Sequence, residues 1–197
     1  MSTKAAATRD RILVAAGALF DLRGYHGVGL EEVGAAAGVS RQAVYKHFGS
    51  KARLLLAISD RDEAAVGLPE RLRGVAGAPD ALTALDRMIE TQANVDAGLH
   101  AHSSVVYAAR ATDAAAREVW DGRMARRRAG MGMIIGRLAA EGRLKDGLVP
   151  EVAADLLWAV LSLHTYEYLV IGRGWSLEEY RARVGRLARA ALLKPQD

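Results

Sequence analysis

Residues 29–48 read GLEEVGAAAGVSRQAVYKHF, and this stretch decides the fold. Leu30, Val33 and Ala37 share one face of a short helix, which Gly38 stops. Glycine permits the left-handed backbone of a sharp turn, and Val39 plugs the angle that follows. Ser40 is a natural N-cap, because its hydroxyl can accept from an otherwise unpaired backbone N–H. A second short helix, residues 41–48, then anchors itself through Val44 and Phe48 and leaves Arg41, Gln42, Tyr45, Lys46 and His47 projecting outward. Helix, tight turn, helix is the layout in which the second helix enters the DNA major groove while the first braces it.

Working outward, Ile12, Ala15, Ala16, Leu19 and Phe20 follow the buried-face spacing of a preceding helix, with Thr8 or Asp10 as its cap and Gly24 as its stop. Ser50 opens a fourth helix carrying Leu54, Leu55, Ile58 and Ala65 inward, and Gly67-Leu68-Pro69 kinks or ends it. Gly74 to Pro79 reads as a loop. Helical patterns resume over residues 80–97, 100–111, 113–142 and 151–172. Ser176-Leu177-Glu178-Glu179 fits a capping box that starts a last helix, with Leu177, Tyr180, Val184, Leu187 and Ala191 as its stripe. No strand-like alternation persists, so the expected fold is all-α: an N-terminal helix-turn-helix domain at residues 1–53 and a larger helical domain at 54–197.

Charge singles out the same segment. Residues 1–53 hold eight Lys and Arg against four Asp and Glu, while the other 144 residues balance 19 against 19. A basic segment on a neutral body is the electrostatic footprint of contact with a polyanion. The absence of cysteine excludes disulfide scaffolds, zinc-thiolate sites and thiol nucleophiles. The polar start Met1 to Asp10 carries no signal-peptide pattern, and the longest uncharged apolar run, Leu156 to Tyr166, is shorter than the ~20 residues a bilayer span needs. A cytoplasmic, nucleoid-associated location without a membrane partner is expected.

The sequence resembles the TetR family of bacterial transcriptional regulators. The likeness is carried by Gly24-Tyr25, the Leu30-Glu-Glu-Val33 run, Ala36-Ala-Gly-Val-Ser40, the Tyr45-Lys-His-Phe48 run, and Ser50-Lys51 followed by Leu54-Leu55, about residues 8–58 in all. It implies a homodimer whose two N-terminal domains occupy half-sites of a double-stranded palindromic operator. It further implies a repressor whose helical body senses a small-molecule effector and dimerises. By the same resemblance Ser40, Arg41, Gln42 and Ala43 open the recognition helix, with Arg41, Gln42 and Ala43 facing base edges. Tyr45 and His47 hydrogen-bond phosphates, Lys46 shares their exposed face, and Lys51 pairs with a phosphate at a helix N-terminus. Two positions depart from the family pattern: Gly29 stands where a capping hydroxyl is customary, and Gly34 replaces an alanine, which implies close backbone packing or a more mobile headpiece.

For the body, Tyr107, Trp120 and His164 are candidate pocket residues, and the near-zero net charge points to a neutral or apolar ligand. Leu157, Leu161, Tyr168, Leu177, Tyr180, Val184 and Leu187 offer apolar surface for the dimer contact that the resemblance implies. Arg126-Arg127-Arg128, one turn after Arg123, reads as a solvated, salt-bridged face near Asp113, Glu118 and Asp121. His100 and His102 point to different faces of a helix, so no metal is expected. With no Gly-x-Ser-x-Gly elbow beside Ser103-Ser104, neither catalysis nor a cofactor is expected. Two rivals stay open: an architectural DNA-binding protein without a ligand, and a helical small-molecule binder or enzyme.

Overall fold

The computed structural model describes residues 3–195. Ten helices follow one another among them: α1 (Thr3–Arg23), α2 (Leu30–Ala37), α3 (Arg41–Phe48), α4 (Lys51–Ala65), α5 (Leu68–Ala76), α6 (Ala81–Ala109), α7 (Ala114–Ala140), α8 (Pro150–Val160), α9 (Leu163–Tyr166) and α10 (Leu177–Leu192). A π-helical turn at Glu167–Ile171 continues α9. The all-α reading holds, and among the described residues no helix is long and apolar enough to cross a membrane.

Local chemistry accounts for the sharpest boundaries. Gly38 sits at φ 68° and ends α2, donating to Ala35 and Gly34 carbonyls. The Ser40 hydroxyl accepts from the Ala43 N–H at 3.1 Å and starts α3. Gly49, at φ 74°, closes α3. Ser176 accepts from Glu179 N–H while the Glu179 carboxylate accepts from Ser176 N–H, the reciprocal pair that the sequence announces.

Elsewhere tertiary packing overrides punctuation. Residues 80–111 read as two helices but form one, α6, because Gly98 serves packing: a Cβ there would lie 2.5 Å from the Val66 side chain. Leu68-Pro69 starts a helix of its own, since proline fits the first turn where its missing N–H is not needed, so Gly74 is helical rather than in a loop. The apolar run 151–172 breaks after Val160, where the Ser162 hydroxyl caps α9 by accepting from Thr165 N–H. Ala65 is exposed, not inward. Helix α1 is already running at Thr8 and Asp10, so neither caps it.

The chain divides into two compact units. One gathers the residues up to Ala65 with Leu99–Gly122; the other gathers Val66–Gly98 and the residues from Arg123 onward. The first has its own core of Ile12, Phe20, Val33, Val44, Phe48, Leu54, Leu55 and Ile58, joined by Val106, Ala109 and Ala116. The second is built on Leu85, Met88 and Ile89 of α6, Met131, Ile135 and Leu138 of α7, Leu157 of α8, Leu161, and Tyr180, Val184 and Leu192 of α10.

This second core corrects the expected dimer surface. Leu157, Leu161, Tyr180 and Val184 are all buried inside the protomer, so their apolar area is already covered there. Leu177 is half-buried, whereas Tyr168 and Leu187 stand exposed, as do Val152 and Leu156 of α8. Helix α10 turns Tyr180, Val184, Ala188 and Leu192 inward, a one-residue shift from the expected stripe at its far end.

At Gly34 the backbones of α2 and the following turn approach closely: an added Cβ would lie 2.8 Å from the Val39 carbonyl oxygen and 3.1 Å from Arg41 N. Glycine is therefore needed for contact, despite costing ~1 kcal/mol of helix propensity. Gly34→Ala is expected to lose stability by roughly 1 kcal/mol net, as overpacking of ~1–3 kcal/mol outweighs the propensity gain. Thermal melts of the two proteins check this, and an unchanged or higher Tm would contradict it.

Candidate nucleic-acid interface

Helix α3 is amphipathic in a particular way. Val44 and Phe48 are buried at 0% and 7% exposure, which fixes the helix against the first unit's core. One turn apart on a helix, they leave the opposite face free. Arg41, Gln42, Lys46 and Tyr45 are exposed, Tyr45 at 62%, while Ala43 and His47 are partly buried. An aromatic phenol standing that far out, among three hydrogen-bonding neighbours, is a surface suited to a partner that accepts hydrogen bonds.

The cation at Lys51 is placed less simply. Its ammonium lies 4.2 Å from the Tyr25 ring centroid and 5.7 Å from that of Phe20, stacked on the headpiece. Desolvation there pulls its pKa down from 10.5, with the Asp113 and Glu32 carboxylates pulling the other way. Arg9 also reaches this end of the domain, with its guanidinium 5.2 Å over the Phe48 ring. Among the candidate residues the sequence names only Lys51 here; Arg9 enters it merely as part of the charge excess.

Gly29 caps α2 without a side chain, and Glu32 compensates. Its carboxylate accepts from Gly29 N–H at 2.8 Å and from Arg23 at 2.6 Å. Those two donors, the backbone N–H first, hold the Glu32 carboxyl below its ordinary range.

The same unit contains a latch that no local pattern reveals. Asp113 accepts from Ala115 and Ala116 N–H at 2.9 and 3.0 Å, capping α7. It also accepts a hydrogen bond from the Tyr25 hydroxyl. Beside it, Thr112 and His26 pair at 2.7 Å. The α6–α7 corner is thereby tied to the segment between α1 and α2. Burial, followed by the Asp113 charge, drives the Tyr25 phenol upward in pKa.

The three expected pocket residues fall in different units. Tyr107 and Trp120 stack edge to face at 5.0 Å in the first unit, with the Arg110 guanidinium 3.9 Å over Tyr107. His164 belongs to the second unit, where its half-exposed ring pairs with Glu167 at 3.2 Å. Of the paired histidines, His102 is buried against Ser59 at 2.7 Å, whereas His100 faces Ser104.

Comparison with known proteins converges on the N-terminal helices. Residues 12–58 match the family model described as bacterial regulatory proteins, tetR family. Over 67 residues, a third of this chain, the sequence is 42% identical to the HTH-type transcriptional activator FasR of Mycolicibacterium smegmatis, covering 31% of that protein. Over 80 residues it is 35% identical to the HTH-type transcriptional repressor AcnR of Corynebacterium efficiens, covering 43% of it. The chain thus spans less than half the length of these curated relatives. Likeness along the whole chain comes from a solved structure, a complex of SmeT with triclosan: 28% identity, 95% of this chain and 92% of that one, at a TM-score of 0.77.

Because Asp113 serves two helical N–H groups and a phenol at once, Asp113→Ala is expected to cost about 2 kcal/mol. Its carboxyl is held below 3.8, chiefly by the Ala116 N–H. Its contribution is therefore fully present above pH 3.8 and drains away as pH falls through the lower folded-state value. Melts of both proteins across pH 2–7 test this: the gap between them should close at the acid end, and a gap that persists there would contradict the assignment.

Proposed function

Through residues 12–58 the chain belongs to the TetR family of bacterial regulatory proteins, and from that premise we propose that it is a ligand-responsive transcriptional regulator. It binds a palindromic DNA operator as a homodimer in the cytoplasm and is released by a small-molecule effector. The observation that carries this reading is the recognition helix: Val44 and Phe48 buried, with Arg41, Gln42, Tyr45 and Lys46 exposed on the other side. An exposed helix face of that composition fits the major groove, where arginine reads guanine and glutamine reads adenine through paired hydrogen bonds.

In this proposal Arg41, Gln42 and Ala43 meet base edges, Tyr45 and His47 meet phosphates, and Ser40 presents the helix start. Lys46 adds positive charge, and Lys51, oriented by Tyr25, meets a phosphate near the start of α4. Two copies would place their recognition helices in successive major grooves, about 34 Å apart. Repression is the sign we propose, because one solved structure similar over 94% of the chain is that of SmeT, named as the repressor of the Stenotrophomonas maltophilia multidrug efflux pump SmeDEF. The activator match covers only a third of this chain.

Release by an effector needs a route to the headpiece. Helices α6 and α7 contribute residues to both compact units, and the α6–α7 corner is latched to Tyr25 and His26. An effector that prefers one arrangement of those helices shifts the population of DNA-competent dimers by its differential affinity. By linkage, operator DNA then weakens effector binding by the same factor.

The test starts from an operator selected by the purified protein out of a random duplex library, with affinity read by fluorescence anisotropy at several salt concentrations. Arg41→Ala should relax preference at one operator position, a loss of about 1–3 kcal/mol there. Lys46→Ala should weaken binding to all sequences alike and lower the salt slope by about one. Operator binding untouched by both changes would overturn the docking.

A further inference from the structure

The run Arg126-Arg127-Arg128 reads as a solvated face, yet its middle member points into the second unit. Arg127 has only 13% of its side chain exposed. It meets Asp96 through Nη1 at 3.8 Å, and the Asp96 carboxylate also accepts from Gln92 at 2.8 Å. Its other edge, formed by Nε and Nη2, is buried without a hydrogen-bond partner, and so is the hydroxyl of Tyr180, a residue 1% exposed. Tyr180 stacks edge to face on Tyr166 at 5.4 Å, close enough to Arg127 and Asp96 for all three to bear on its phenol. Helices α6, α7, α9 and α10 therefore each contribute to a buried polar group.

The unpaired edge has a chemical signature. Nε–H and Nη2–H point in parallel and match the two oxygens of a carboxylate or another paired acceptor. This chain uses that edge elsewhere, and Arg117 turns it to the Arg110 and Ala111 carbonyls. Arg128 holds the Oδ1 atom of Asp155 through Nε and Nη2 at 3.0 and 2.6 Å, and Arg189 holds the Oδ1 atom of Asp86 through the same atoms at 3.0 and 2.5 Å, each pair converging on one carboxylate oxygen. On Arg127 alone of these four the edge is turned inward and left unmatched. Leaving buried donors of a charged group unpaired costs free energy, which a matching ligand recovers.

The local charge adds direction. Arg123, one turn away, repels the Arg127 guanidinium, and the Asp96 carboxylate attracts it. The balanced net charge of residues 54–197 implies a neutral or apolar effector, but the sum conceals a buried guanidinium with an unmatched donor edge. Tyr180 and Tyr166 belong to the same core as Leu85, Met88, Met131 and Leu157. Methionines repack readily around a guest.

We propose that the effector is a small monocarboxylate with an apolar body, seated with its carboxylate on the Nε–Nη2 edge of Arg127 and accepting from the Tyr180 hydroxyl. The assignment deepens the ligand-sensing half of the proposed function and rests on it; the DNA-binding half is independent.

Full-length protein is titrated with two matched pairs, benzoate against benzamide and octanoate against octanamide, at constant ionic strength, with calorimetry and thermal shift as readouts. Each acid should bind about tenfold more tightly than its amide or better. Arg127→Lys keeps the charge for Asp96 and loses the fork, and should erase most of that preference. Tyr180→Phe removes one oxygen and should reduce it several-fold. Circular dichroism melts establish that both variants fold. Acid and amide acting alike on the wild type, including no response to either, overturns the assignment. So does a preference that survives both substitutions. Operator affinity of the same unliganded samples separates the two claims: intact DNA binding without acid preference sinks this inference alone, and acid preference without DNA binding sinks the regulator reading.

Discussion

The functional surface depends on how firmly one face of an eight-residue helix is buried. An isolated helix of two turns is unstable in water, because nucleation is costly and few hydrogen bonds follow it. Helix α3 exists because Val44 and Phe48 are held by a core drawn from α1, α2 and α4, and because Ser40 satisfies one N–H at its start. The outward side chains inherit their positions from that anchoring. Everything proposed for DNA recognition, from base reading at Arg41 to phosphate contact at Tyr45, requires this rigidity.

The boundaries of α2 and α3 are legible to the residue in the sequence, since glycine and serine act locally there: Gly38 by its backbone, Ser40 by its hydroxyl. The body is less legible. Gly98 looks like a breaker but makes room for Val66, and the apolar stretch after Glu151 hides the Ser162 cap within a hydrophobic average. Where an element is decided by what packs on it, composition alone misplaces its ends.

Side-chain direction is the other thing that the sequence conceals. Tyr25 and Asp113 meet across most of the first unit, and no periodicity connects them. The seven residues expected at a dimer contact share helices but not faces: four fill the protomer's interior and two stand exposed. Three consecutive arginines look equivalent in one dimension. A helix turns each of them by about a third of a revolution relative to the next, which separates the solvent-facing Arg128 from the inward Arg127.

The first unit's core takes Val106, Ala109 and Ala116 from α6 and α7, far along the chain from the helices they complete. A fragment ending with α4 would leave the wall that those residues cover open to water. Anyone grafting this headpiece onto a foreign sensor body would therefore have to transplant the α6–α7 hairpin tip with it, or redesign the uncovered apolar seam.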